Sequence, residues 1–94
     1  MRPVTNKMVC YRIYTEDKNI PSVKSIVSEM FSSYSLILCE GVYKGKAEYS
    51  LIVEILSDEP QGLLCAEIVA NGIKAANAQD SVLLSWYPVE SRSF

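Results

Sequence analysis

Residues 36 to 56 read Leu36-Ile37-Leu38-Cys39-Glu40-Gly41-Val42-Tyr43-Lys44-Gly45-Lys46-Ala47-Glu48-Tyr49-Ser50-Leu51-Ile52-Val53-Glu54-Ile55-Leu56. Two strand-like runs flank one turn signal. The first, Leu36 to Tyr43, opens apolar on both faces. In the second, Glu48 to Leu56, Tyr49, Leu51, Val53 and Ile55 alternate onto one face. Between them Lys44-Gly45-Lys46-Ala47 reads as a hairpin turn, with glycine supplying backbone freedom.

Helical patterns stand on both sides of this hairpin. Upstream, Pro21 suits a first helical turn, and Val23, Ile26, Val27, Met30, Phe31 and Tyr34 follow at helical spacing. Downstream, Leu63 to Ala78 read as a second helix, with Leu64, Cys65, Ile68, Val69, Gly72, Ile73 and Ala76 as its buried stripe. Gly72, costly inside a helix, implies close approach of that helix to a sheet. The outermost segments are strands again. Met1 to Asn6 form a lead-in, and Lys7 to Tyr14 put Val9, Tyr11 and Ile13 on one face and Met8, Cys10, Arg12 and Tyr14 on the other. Ser81 to Tyr87 put Val82, Leu84 and Trp86 toward the core, and Pro88 marks the end of an edge strand. The order is βαββαβ. It predicts one α+β domain over residues 1–94, a ferredoxin-like split βαβ sandwich. Its four-stranded antiparallel sheet has two helices on one face, the first and third strands central, and the last at an edge.

Composition narrows the function by exclusion. The net charge is −2 and the pI about 5.0, without the basic footprint that binding a nucleic-acid backbone requires. No apolar run is long enough for a membrane span, and the first residues carry no signal-peptide pattern. There is no histidine, so no Ser-His-Asp or Cys-His mechanism can be assembled within the chain. Cys10, Cys39 and Cys65 are scattered through apolar segments without CxxC spacing. They read as free thiols of a cytoplasmic protein rather than as zinc ligands. Neither a cofactor nor a metal is expected. Glu16, Asp17, Asp58 and Glu59 read as solvated loop charge.

The face of the sheet turned away from the helices is the candidate site. Met8, Cys10, Tyr14, Ile52, Leu56, Leu83 and Tyr87 gather there, with Arg12 and Glu54 as a cross-strand ion pair among them. That is more apolar surface than soluble monomers usually expose. The expectation is a homo-oligomer or a protein partner bound through this face; the competing reading is a terminal tail folded across it. The hairpin tip, Tyr43, Lys44 and Lys46, is a second candidate binding element. Gly41 and Gly45 do not make a phosphate-binding loop.

The hairpin residues Gly41-Val42-Tyr43-Lys44-Gly45-Lys46 with Glu48-Tyr49-Ser50-Leu51 resemble those of small ferredoxin-like proteins of phages and mobile elements. The resemblance covers about half the chain and brings no functional residues. It implies a non-enzymatic accessory or inhibitory protein that acts by binding. In element order alone the chain is similar to trimeric PII-like signalling proteins, with a tight turn in place of their long effector loop. That similarity implies an oligomer holding small ligands in clefts between subunits. A third reading is a small enzyme using tyrosine, arginine and carboxylates in a sheet cavity of a ferredoxin-like dimer. A concave pocket lined by Arg12 and Tyr14 would mark it.

Overall fold

The computed structural model describes residues 4–94. The chain runs β1 (Val4–Glu16), α1 (Ile20–Met30), β2 (Ser35–Tyr43), β3 (Lys46–Ser57), α2 (Gly62–Ala76) and β4 (Leu83–Ser93). The four strands form one antiparallel sheet in the order β2-β3-β1-β4. This is the α+β, ferredoxin-like split βαβ arrangement, with β1 and β3 central.

The alternation read in β1 holds: Tyr11 and Ile13 are buried against the helices, and Val9 packs beside them. Leu51, Val53 and Ile55 of β3 complete the sheet side of the core, and Val23 and Val27 of α1 close it from above. The helix starts where Asn19 takes a left-handed conformation (φ 53°), which asparagine tolerates. It stops earlier than the stripe suggested. Phe31 already has an extended backbone, and Tyr34 packs on the core from the following loop. Lys44 and Gly45 both have positive φ (50° and 78°), which gives the two-residue turn that matches strand twist.

The strands are longer than expected. Thr15 and Glu16 belong to β1, not to a loop, and Val4 to Asn6 pair with β4 instead of forming a lead-in; Met1 to Pro3 lie outside the described residues. Pro88 does not end β4. It pairs with Val9, and the strand runs on to Ser93. Position explains this: β4 is an edge strand, where a proline nitrogen turned outward breaks no ladder bond. The β2–β3 hairpin therefore projects beyond β1 at one end of the sheet, and the β1–β4 ribbon projects beyond β3 at the other. Together they stretch the molecule to 48 Å along its longest axis.

The second helix turns a different face inward. Gly62, Ala66, Val69, Ala70 and Ile73 are buried, whereas Leu64 and Ile68 are 53% and 48% exposed and Ala76 is exposed. Small residues win the sheet-facing positions because they let the helix lie close to Tyr11. A Cβ on Gly62 would sit 2.6 Å from the Tyr11 hydroxyl oxygen and 3.1 Å from its ring. Gly72 serves another contact, since a Cβ there would meet Ile26 Cγ2 of α1 at 3.1 Å. Its close approach is to the neighbouring helix, not to the sheet. Trp86 shares the face of Tyr11 but is 53% exposed, because the helices do not reach that part of the edge.

Gly62→Ala is accordingly expected to lower stability by about 1–3 kcal/mol, as overpacking does. Urea denaturation measures the loss. Adding Tyr11→Phe, which removes the oxygen nearest the new methyl, should recover part of it; no recovery would place the strain elsewhere.

Candidate functional site

The outer sheet face is built from rows across the strands. Register sets Ser35, Glu54, Arg12 and Ser85 in one row and Ile37, Ile52, Tyr14 and Leu83 in the next. On the other side of the charged row lie Leu56, Cys10 and Tyr87, and beyond them Met8 with Val89. The chain's C-terminal residues do not fold across this face; they extend β4. Leu56, Leu83 and Tyr87 are exposed, and no described element covers them.

Arg12 and Glu54 meet as expected. Arg12 donates from Nε (2.9 Å) and Nη2 (2.6 Å) to one carboxylate oxygen, Glu54 Oε2. Their side chains remain 33% and 25% exposed. Bonding to Glu54 raises the Arg12 pKa above its ordinary value, and the neighbouring Tyr14 adds to it. The Cys10 thiol is only 2% exposed even though it lies on the outer face. The neighbouring Cys10 thiol is the main cause holding the Tyr87 phenol's pKa above its ordinary value. Cys10, Arg12, Tyr14, Glu54 and Tyr87 thus form one polar cluster ringed by Leu56, Ile52 and Leu83. Ser91 Oγ donates to Met8 Sδ at 3.4 Å, on the ribbon outside that ring. All three cysteines are free thiols.

A groove of about 470 Å³ opens at the hairpin end of the sheet. Tyr14, Glu16, Tyr43, Glu48, Tyr49 and Asp80 are among its lining residues. Thr15 and Gln79 also line it, and Thr15 Oγ1 donates to Gln79 Oε1. Asn77, almost fully buried, ties the two loops behind this wall together. It donates to Gln79 Oε1 (3.3 Å) and to the Lys18 carbonyl (3.4 Å) and accepts from Asn19 (3.0 Å). Glu16 pairs with Lys18 at 3.2 Å. Among the described residues no lysine or arginine lines the groove.

Two candidate regions are therefore distinct but adjoining. Tyr14 and Leu83 belong to both. Of the hairpin-tip residues, Tyr43 lines the groove, Lys44 places its ammonium 5.4 Å from the Tyr43 ring centroid, and Lys46 sits opposite Tyr43. Arg12 is not in the groove. Gln79 and Asp80 were not singled out from the sequence, because only the outward reach of the hairpin sets Glu48 and Tyr49 across the groove from them. Among the described residues no set of three or more Cys, Asp or Glu is placed to hold a metal, and no helix is long and apolar enough to cross a membrane.

No protein-family model matches the chain, and no curated protein does. Solved structures do. The apo form of CPII, a nitrogen regulatory PII-like protein from Thiomonas intermedia K12, superposes with a TM-score of 0.67 at 8% identity, over 99% of this chain and 100% of that one. PII from Arabidopsis thaliana bound to citrate gives 0.70 at 14% identity, over 89% and 78%. A phage SAM lyase in complex with S-methyl-5′-thioadenosine gives 0.60 at 14% identity, over 89% and 90%. At such identities the likeness is one of fold.

Proposed function

We propose that this chain is a self-associating, small-ligand-binding module. Outer sheet faces pack on one another, and the groove at the hairpin end holds the ligand. The observation that carries the reading is the uncovered outer face, a polar cluster ringed by exposed apolar side chains that neither helix nor terminal strand shields. Packing two such faces removes apolar area from water and desolvates the Arg12–Glu54 pair, which makes alignment selective. Because Tyr14 and Leu83 belong to both regions, association and ligand binding are coupled through the row that contains Ile52.

The groove suggests the ligand's class. Tyrosine faces favour a flat heteroaromatic group, and three carboxylates, of which only Glu16 is paired with a lysine among the described residues, disfavour a polyphosphate. CPII has been solved with ADP and AMP, and the phage lyase with S-methyl-5′-thioadenosine. An adenosine carrying a neutral or cationic tail suits this groove better than ADP does. Glu48 and Tyr43, on the outer face of the hairpin, would contact it, with the tail directed toward Tyr14.

A second reading is catalysis on such a ligand where its tail passes Tyr14, the residue the groove shares with the adjoining polar cluster. Glu54 and the phenols of Tyr14 and Tyr87 would supply the polar groups, as a solved SAM lyase shares the fold. One experiment bears on both. Thermal unfolding with ADP, AMP, S-methyl-5′-thioadenosine and SAM should show the largest rise in Tm for the last two, and Tyr43→Ala should remove it. No rise with any of them, or the largest with ADP, would overturn the ligand assignment. Turnover of SAM by the wild type and its loss in Glu54→Gln would establish catalysis.

A further inference from the structure

The two edges of the sheet are not equivalent. The β4 edge carries Pro88 at its middle, with Glu90 and Arg92 beyond, and these are the features by which edge strands resist pairing. The β2 edge has none of them. Its nine residues contain no proline and no lysine, only one charge, Glu40, and no bulge interrupts their register with β3. Ile37, Leu38, Val42 and Tyr43 are exposed along it. None of the described strands pairs with its free side.

We infer that β2 is a strand-pairing edge whose occupant is the β2 strand of a second copy, antiparallel about a two-fold axis. This rests on the self-association reading above and adds to it a second contact, through backbone rather than side chains. One open edge per chain closes at two copies, whereas two open edges would propagate a filament. The eight-stranded sheet that results sets both outer faces side by side on one surface, and the face-to-face contact then joins two such pairs into an assembly of four copies. Nine residues at about 3.3 Å each give roughly 30 Å of paired strand, too little to hold two chains alone but enough to fix their alignment.

The sequence limits the register. Centring the axis on Glu40 would set two carboxylates opposite each other, which is unfavourable. Centring it on Leu38 sets Leu38 against its own copy and Ile37 against Cys39. Centring it on Cys39 sets Leu36 against Val42, with Cys39 opposite its own copy. Directly opposed Cα atoms lie about 4.5–5.5 Å apart, within the span of a disulfide. In the Leu38 register the two Cys39 residues are diagonal neighbours at about 7–8 Å.

Cys39 is therefore the reporter. Cys10 is buried and Cys65 lies on α2, across the sheet. Diamide oxidation and a short bismaleimide should link Cys39 to Cys39 in most of the assembled protein, located by peptide mass spectrometry and lost in Cys39→Ser. Backbone amides of β2 should exchange more slowly in the assembly than after dilution, while those of β4 do not change. An assembly in which neither reagent links Cys39, or in which β4 gains the protection, would overturn the inference and leave the face contact standing. A Cys39 link in an assembly indifferent to Ile52→Lys would do the reverse. A wild-type monomer at all concentrations would overturn both.

Discussion

Ile52→Lys is expected to convert the assembled protein into a folded monomer. Ile52 sits in the row Ile37, Ile52, Tyr14 and Leu83, next to the row of the Arg12–Glu54 pair. In a face-to-face contact an ammonium group there would be buried without a partner. Such a charge costs roughly 3–5 kcal/mol, and each 1.4 kcal/mol is about tenfold in dissociation constant. The loss is then about two to three and a half orders of magnitude. The fold should tolerate the change, because Ile52 points away from the core that Leu51 and Val53 fill. Sedimentation at micromolar concentration reads the association, and circular dichroism reads the fold. An unaltered assembly would remove the outer face as the contact surface.

Phe31→Ala should produce the largest loss of stability. Phe31 follows the last turn of α1 and is buried in the core cluster. Truncating a buried phenylalanine costs about 3–5 kcal/mol, transfer and cavity together. Domains of this size have roughly 5–15 kcal/mol in all, so the variant keeps only part of its folded population's margin. The urea midpoint should fall by at least about 1 M. An unchanged midpoint would mean that Phe31 does not fill the core.

Element order, central strands, the two faces of β1 and the meeting of Arg12 with Glu54 were all legible in the sequence, because strand alternation and hairpin chemistry are local signals. The stripe of α2 was not. Leu64 and Ile68 are more apolar than Ala66 and Ala70, yet the alanines face the sheet, because Tyr11 beneath Gly62 leaves space only for small residues. Hydrophobicity ranks side chains, and a bulky neighbour on another strand reverses the ranking. Pro88 misled for a related reason, since what proline forbids depends on which side of the strand its nitrogen faces. The groove was legible only in part, through Tyr14, Tyr43 and Leu83. Glu48, Asp80 and Gln79 converge only because β2 and β3 outrun β1 and the Asn77 bonds hold the opposite loop in place.

The pairing of β1 with β4 has a consequence for synthesis. β1 is central, so it needs a neighbour on each side, and one of them is the final strand of the fold. Tyr14 must wait for Leu83, and Val4 for Ser93. At a translation rate of about 5–20 residues per second, the intervening chain takes several seconds to emerge from the ribosome. Throughout that interval one flank of β1 stays unpaired in the nascent chain, beside Met8, Cys10 and Tyr14. Chaperone capture during translation would act on that flank.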